Sequence, residues 1–140
     1  MASDVVMRCL AVAAGGAIGS VARYGLSVWG ASLGGELGTR LPWGTVAANA
    51  AGCLAIGAAM FFVIEHDTMP EGWRLFLVVG LLGGLTTFST FSYEGLALLR
   101  QGHPGPAGLY VAGSVVVGLA AAAAGWWAAG VLDGMIGGRG

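Results

Sequence analysis

Apolar positions along this chain do not alternate with polar ones but run on in four blocks, each closed by a short polar stretch. The blocks extend approximately from Val5 to Trp29, Trp43 to Ile64, Trp73 to Leu99 and Leu109 to Leu132. A bilayer core about 30 Å thick takes roughly 20 apolar residues in a helix, and every block reaches that length. The separators carry turn chemistry: Gly34-Gly35-Glu36 through Pro42, Glu65 through Gly72 with Pro70, and Gln101 through Gly108 with Pro104 and Pro106. Hydrocarbon offers no water to unpaired backbone groups, so each block is predicted to be helical, and a strand barrel would need an alternation these blocks lack. The pattern predicts an all-α integral membrane protein, one four-helix transmembrane domain over residues 1–140, with nothing left for a soluble domain. Arg8 followed by Ala11-Val12-Ala13 also fits a cleaved secretory leader. The apolar run continues past Ala13, which favours a span.

Composition agrees with a lipid environment: 56% of residues are hydrophobic and only 9% charged, against about 25% charged in an ordinary soluble domain. A net charge of −1 with no basic cluster gives nucleic acid no electrostatic purchase. Cys9 and Cys53 lie inside apolar blocks and imply neither a disulfide nor a metal site. Many of the 27 glycines fall inside the blocks, with small residues four apart at Gly15 and Gly19, Ala48 and Gly52, and Gly80 and Gly84. Such spacing lets helix backbones approach closely.

All six basic residues are arginine. Four spans put Arg8, Arg74 and Arg139 on one side and Arg40 and Arg100 on the other, with Arg23 inside the first span. Orientation follows the Lys/Arg excess on cytoplasmic loops. So small an excess predicts insertion both ways.

The third span holds the densest chemistry. From Gly80 to Ser92 a glycine cluster is followed by Thr86, Thr87, Ser89, Thr90 and Ser92, interleaved with Phe88 and Phe91. A glycine pair at mid-membrane depth predicts a broken helix, Gly83-Gly84 being the expected point. The half before a break ends in carbonyls that suit a cation such as sodium, and the half after it begins with amides that suit an anion. No basic side chain lies within the same turn to compete with a cation. The plainer alternative is a hydroxyl-rich packing face with intrahelical back-bonding.

Phe88 and Phe91 are three apart and share a face, where their positive ring edges can lie against an anion or their bulk can simply meet lipid and core. Asn49, the only asparagine, cannot face lipid with its amide, which leaves interhelical bonding and ligand binding both open. Tyr110, Ser114 and Gly118 form one stripe of the fourth span. Arg23 faces a cavity or snorkels, and Glu94 either lines a vestibule or is solvated at the interface. Glu65-His66-Asp67 lacks a ligand spacing and is read as solvated.

Together these segments resemble the CrcB/Fluc family of small fluoride channels over essentially the whole chain. The resemblance rests on Gly15 through Tyr24 with Arg23, on Trp43-Gly44-Thr45 through Asn49 and Gly52, and on the long signature Gly83 through Ser92; the loop 31–40 does not align. It implies an antiparallel dual-topology homodimer in the inner (plasma) membrane, with two pores lined across subunits by Asn49, Phe88, Phe91, Tyr110 and Ser114. It also implies a structural sodium ion (Na+) at the dimer centre held by backbone carbonyls of Gly83 and Thr86, and a vestibule position at Glu94.

Fluoride is strongly hydrated, so a pore must replace its water with dense neutral donors. Asn49, hydroxyls such as Thr87, Thr90 and Ser114, and the edges of Phe88 and Phe91 are such groups. The competing reading is a small dual-topology multidrug-type exporter, which needs a carboxylate within its spans for proton exchange; the first two spans have none beyond their ends. An assembly subunit explains the glycines but not the hydroxyl and phenylalanine cluster. An enzyme is not expected, because no nucleophile with a nearby base is present.

Overall fold

The computed structural model describes residues 1–32, 41–66 and 69–137. The connecting segment with Arg40, the residue Asp67 and the terminal Arg139 of the charge balance lie outside the described residues. Helix α1 spans Ala2–Ser32 and α2 spans Trp43–His66. The third span, Glu71–Arg100, is composite: α3 (Glu71–Arg74), a π-helical stretch (Leu75–Leu82), α4 (Gly83–Leu85) and α5 (Phe88–Arg100). Helix α6 runs from Pro104 to Gly137. Between α5 and α6 the chain turns at Gly102, whose φ of 78° is open to glycine at little cost; the Gly102 and His103 amides return to the carbonyls of Leu99 and Leu98.

Among the described residues four helices are long and apolar enough to cross a membrane. The arrangement inside them is inverted relative to a soluble bundle. Among the described residues the buried positions are mostly small ones such as Gly15, Gly19, Ala48, Gly52 and Gly57, while Leu10, Val21, Leu119 and Trp127 are exposed. In lipid, helices gain little from hiding large apolar groups and associate where small residues let backbones touch.

Two parallel pairs result. Helix α1 lies along the first half of the third span, where a methyl group added to Gly80 would sit 2.7 Å from the Val12 carbonyl oxygen and one added to Gly84 would sit 2.6 Å from that of Gly16. Helix α2 lies along α6, with Gly57 against the Ala122 carbonyl and Gly125 against that of Leu54. The second pair is tied at its end by Phe61 edge-on to Trp126 and by His66 Nε2 paired with Asp133 Oδ2 at 3.1 Å. Helices α1 and α2 meet where Gly44 faces the Leu26 carbonyl. These contacts bring Arg23 of α1 and Asn49 of α2 to one level of the third span.

Candidate functional site

The third span is interrupted at Thr86 and Thr87, both extended, with ψ of 153° and 122°. Gly83, expected at the break, is helical at φ −64° and ψ −36°; the interruption lies beyond the glycine pair. The physical reason sits on another helix. Asn49 Oδ1 accepts from the Thr87 amide at 2.8 Å and Asn49 Nδ2 donates to the Thr87 carbonyl at 3.2 Å. The carboxamide thus pairs with this one residue as a neighbouring peptide would, replacing bonds the helix gives up. Thr87 then opens α5 as its N-cap, its Oγ1 accepting from the Thr90 amide at 3.2 Å and meeting the Thr90 hydroxyl at 3.0 Å. Glycines 80 and 84 serve close approach to α1 instead.

Diverting these amides deprives two carbonyls of the donors an unbroken helix would give them. In an unbroken α-helix the Thr87 amide would serve Gly83 and the Thr90 amide would serve Thr86; here they go to Asn49 and to Thr87 Oγ1. Two carbonyls four positions from their diverted donors are hard oxygen ligands of the kind that suit sodium, so the residues present fit a small cation. Between them Gly84 behaves differently, accepting from Arg23 Nε at 3.2 Å. This corrects the expectation that no basic group competes there, because Arg23 arrives from α1 and not from the same turn. Arg23 is half-buried and bound to backbone.

A groove of about 510 Å³ opens beside the break, its lining including Asn49, Thr87, Phe88, Phe91 and Ser114 together with Gly83 and Thr86. Ser114 Oγ is buried without a hydrogen-bond partner among the described residues. One Nδ2 hydrogen of Asn49 remains beyond its bond to Thr87. Phe88 is 80% exposed and Phe91 half-buried, their ring centroids 5.7 Å apart. Among the described residues no carboxylate or basic side chain lines this groove; Cys53, on the same wall, is a free thiol.

From Phe91 the aromatic line continues to Tyr110 at 5.2 Å. Tyr110 is buried, and its hydroxyl donates to Glu94 Oε2 at 2.7 Å while Thr45 Oγ1 donates to Glu94 Oε1 at 3.0 Å. Glu94 is therefore held by α2 and α6 together, half-buried, on the wall of a second cavity of about 230 Å³ that also meets Ser27 and Thr45. Thr45 was not among the expected site residues. Its signal was there: it stands four positions before Asn49 and so shares that face of α2. Of the expected residues, Tyr110 and Thr90 lie just off the groove, and Arg23 faces the α1 side of the break. Glu65 and His66 lie far along α2, with His66 engaged by Asp133.

Comparison with known proteins follows the same segments. The model of the family described as CrcB-like protein, Camphor Resistance (CrcB), matches residues 10–126. A fluoride-specific ion channel FluC of Thermus thermophilus is 48% identical over 129 residues, covering 92% of this chain and 98% of its own. FluC of Chloroflexus aurantiacus is 49% identical over 112 residues, 80% of this chain and 86% of its own. FluC of Acidobacterium capsulatum is 44% identical over 115 residues, 82% and 90% respectively.

Proposed function

Because this chain belongs to the CrcB-like family, whose model spans residues 10–126, we propose that it conducts fluoride passively out of the cytoplasm across the inner (plasma) membrane. It is a multi-pass membrane protein with four spans. The observation that carries the functional reading is the groove in which Asn49, Thr87, Phe88, Phe91 and Ser114 converge at a helix break. Its donors are uncharged, and an unpartnered buried hydroxyl faces a demand that an anion can meet.

Stripping water from fluoride is prohibitive unless donors replace it. The free Nδ2 hydrogen of Asn49, the Ser114 hydroxyl and the hydroxyls of Thr87 and Thr90 supply hydrogen bonds, and the edges of Phe88 and Phe91 supply the positive rim of a quadrupole. Tyr110 continues the aromatic line from Phe91 toward Glu94, which serves as the vestibule residue on the wall of the second cavity; Arg23, expected beside it at the vestibule, instead acts from the α1 side of the break through the Gly84 carbonyl. A fixed cation in the groove would trap the ion; neutral donors bind it strongly enough for entry and weakly enough for exit.

The groove is open on one side and Gly83 is exposed beside it. An antiparallel second copy of this four-helix unit, made available by the balanced arginines, closes it into two pores. The carbonyls of Gly83 and Thr86 from both copies then hold a sodium ion. That ion supplies the positive charge that offsets the carbonyl ends where lipid cannot. Purified protein in liposomes tests the function: fluoride should leave and chloride should stay. Equal flux of both anions, or none of fluoride, would contradict it.

A further inference from the structure

Away from the break, the start of α1 and the start of the third span form a groove of about 420 Å³ lined by Met7, Arg8, Ala11, Gly72, Trp73 and Phe76. It shares no residue with the proposed ion path. We propose that it binds one phospholipid with a primary-ammonium head group, of the phosphatidylethanolamine type.

The groove is chemically graded along the membrane normal. Ala11 lies three positions past Arg8, about 4.5 Å deeper at α-helical rise, and Phe76 lies more than one helical turn past Glu71. The deep end is apolar, with Phe76 edge-on to Trp73 at 5.9 Å. Arg8, which lines the groove, is paired through Nη2 with Oε2 of Glu71 at 3.0 Å, Glu71 standing next to the lining residue Gly72 just outside it. Trp73, more than half exposed, is of the type that concentrates at head-group depth. An acyl chain fits the lower part and a polar head the upper.

The rim also selects the head. A guanidinium beside a carboxylate complements a phosphate beside an ammonium, with each protein charge meeting the opposite charge of one zwitterion. Arg8 commits only part of its five-donor fork to Glu71 and can turn the rest to phosphate oxygens, while Glu71 accepts from the ammonium. Both side chains are about half exposed, and such pairs are worth at most about a fivefold change in an equilibrium constant. Opening the pair to admit a head group therefore costs little. A choline head is cationic but has no N–H donor, so it offers Glu71 a charge without a hydrogen bond, and a purely anionic glycerol head meets its repulsion.

Native mass spectrometry of the full protein, titrated with phosphatidylethanolamine, phosphatidylcholine and phosphatidylglycerol of identical acyl chains, tests this. The ethanolamine lipid should be retained about threefold to fivefold more tightly than the other two, as expected for one exposed charge pair. Glu71→Gln should remove that preference while leaving phosphatidylcholine binding in place, and Arg8→Gln should weaken all three. Gly72→Leu should obstruct the groove, its backbone position being tolerant because an added Cβ there meets nothing within 4 Å. Equal retention of the three lipids, strongest retention of the glycerol lipid, or an ethanolamine preference that survives Glu71→Gln would each overturn the proposal. Fluoride flux plays no part in the readout, so this result stands or falls apart from the channel reading.

Discussion

Replacing Asn49 by Asp changes one atom and separates two roles of this side chain. One carboxylate oxygen can still accept from the Thr87 amide, as Oδ1 does at 2.8 Å. The other replaces Nδ2 and faces the Thr87 carbonyl oxygen, acceptor to acceptor, across a contact now made at 3.2 Å. Leaving that carbonyl without a donor costs about 1–3 kcal/mol. The same substitution puts a negative charge on the groove wall, where an anion about 5 Å away at an effective dielectric near 20 loses roughly 3 kcal/mol, about a hundredfold or more in occupancy. Thermal unfolding in detergent reads the first effect, and single-channel or macroscopic current in planar bilayers reads the second, because neutral hydrogen fluoride carries no current. We expect a lowered melting temperature, retained assembly by size exclusion and current reduced by two orders of magnitude. Parental current in an assembled Asn49→Asp protein would remove Asn49 from the ion path, and an unchanged melting temperature would deny its part in holding the break.

Phe88→Ile and Phe91→Ile keep apolar bulk and lose the ring edge, so each should lower fluoride current; Phe91→Ile should also lower the melting temperature through its contact with Tyr110, whereas Phe88, largely exposed in the protomer, should not. Gly84→Ala places a methyl 2.6 Å from the Gly16 carbonyl oxygen and should destabilise by about 1–3 kcal/mol as overpacking, read by thermal unfolding; no loss would mean that α1 and the third span part easily. Exchange of sodium for N-methylglucamine should lower the melting temperature of the dimer if the Gly83 and Thr86 carbonyls hold a cation, and indifference to the exchange would argue against that site.

The spans were legible because length and hydropathy are properties of a segment taken alone. That Gly80 and Gly84 mark a close backbone approach was legible from their spacing, but that the partner is α1 was not, since spacing within one helix does not say which neighbour it meets. The position of the break was not. Glycines marked the region, but Thr86 and Thr87 become extended because Asn49, on a different helix, supplies the bonds they surrender. Arg23 illustrates the same limit: its bond to the Gly84 carbonyl spans 61 positions, so no local pattern shows it. Glu94 read alone was a charge near an interface. Its two hydroxyl partners, Thr45 and Tyr110, come from two other helices, and only the helix pairing joins them.

The central claim is passive conduction, and the direct measurement is the driving force to which fluoride responds. A potential of about 100 mV, negative inside, is worth roughly 2.3 kcal/mol per charge, close to a fiftyfold gradient at about 1.4 kcal/mol per decade. Liposomes loaded with fluoride and clamped with potassium and valinomycin should release it when the interior is negative, hold it when the interior is positive, and keep chloride throughout. An imposed pH gradient should leave the reversal potential unchanged once free hydrogen fluoride is accounted for. A reversal potential that follows pH would show obligatory proton coupling and contradict the channel.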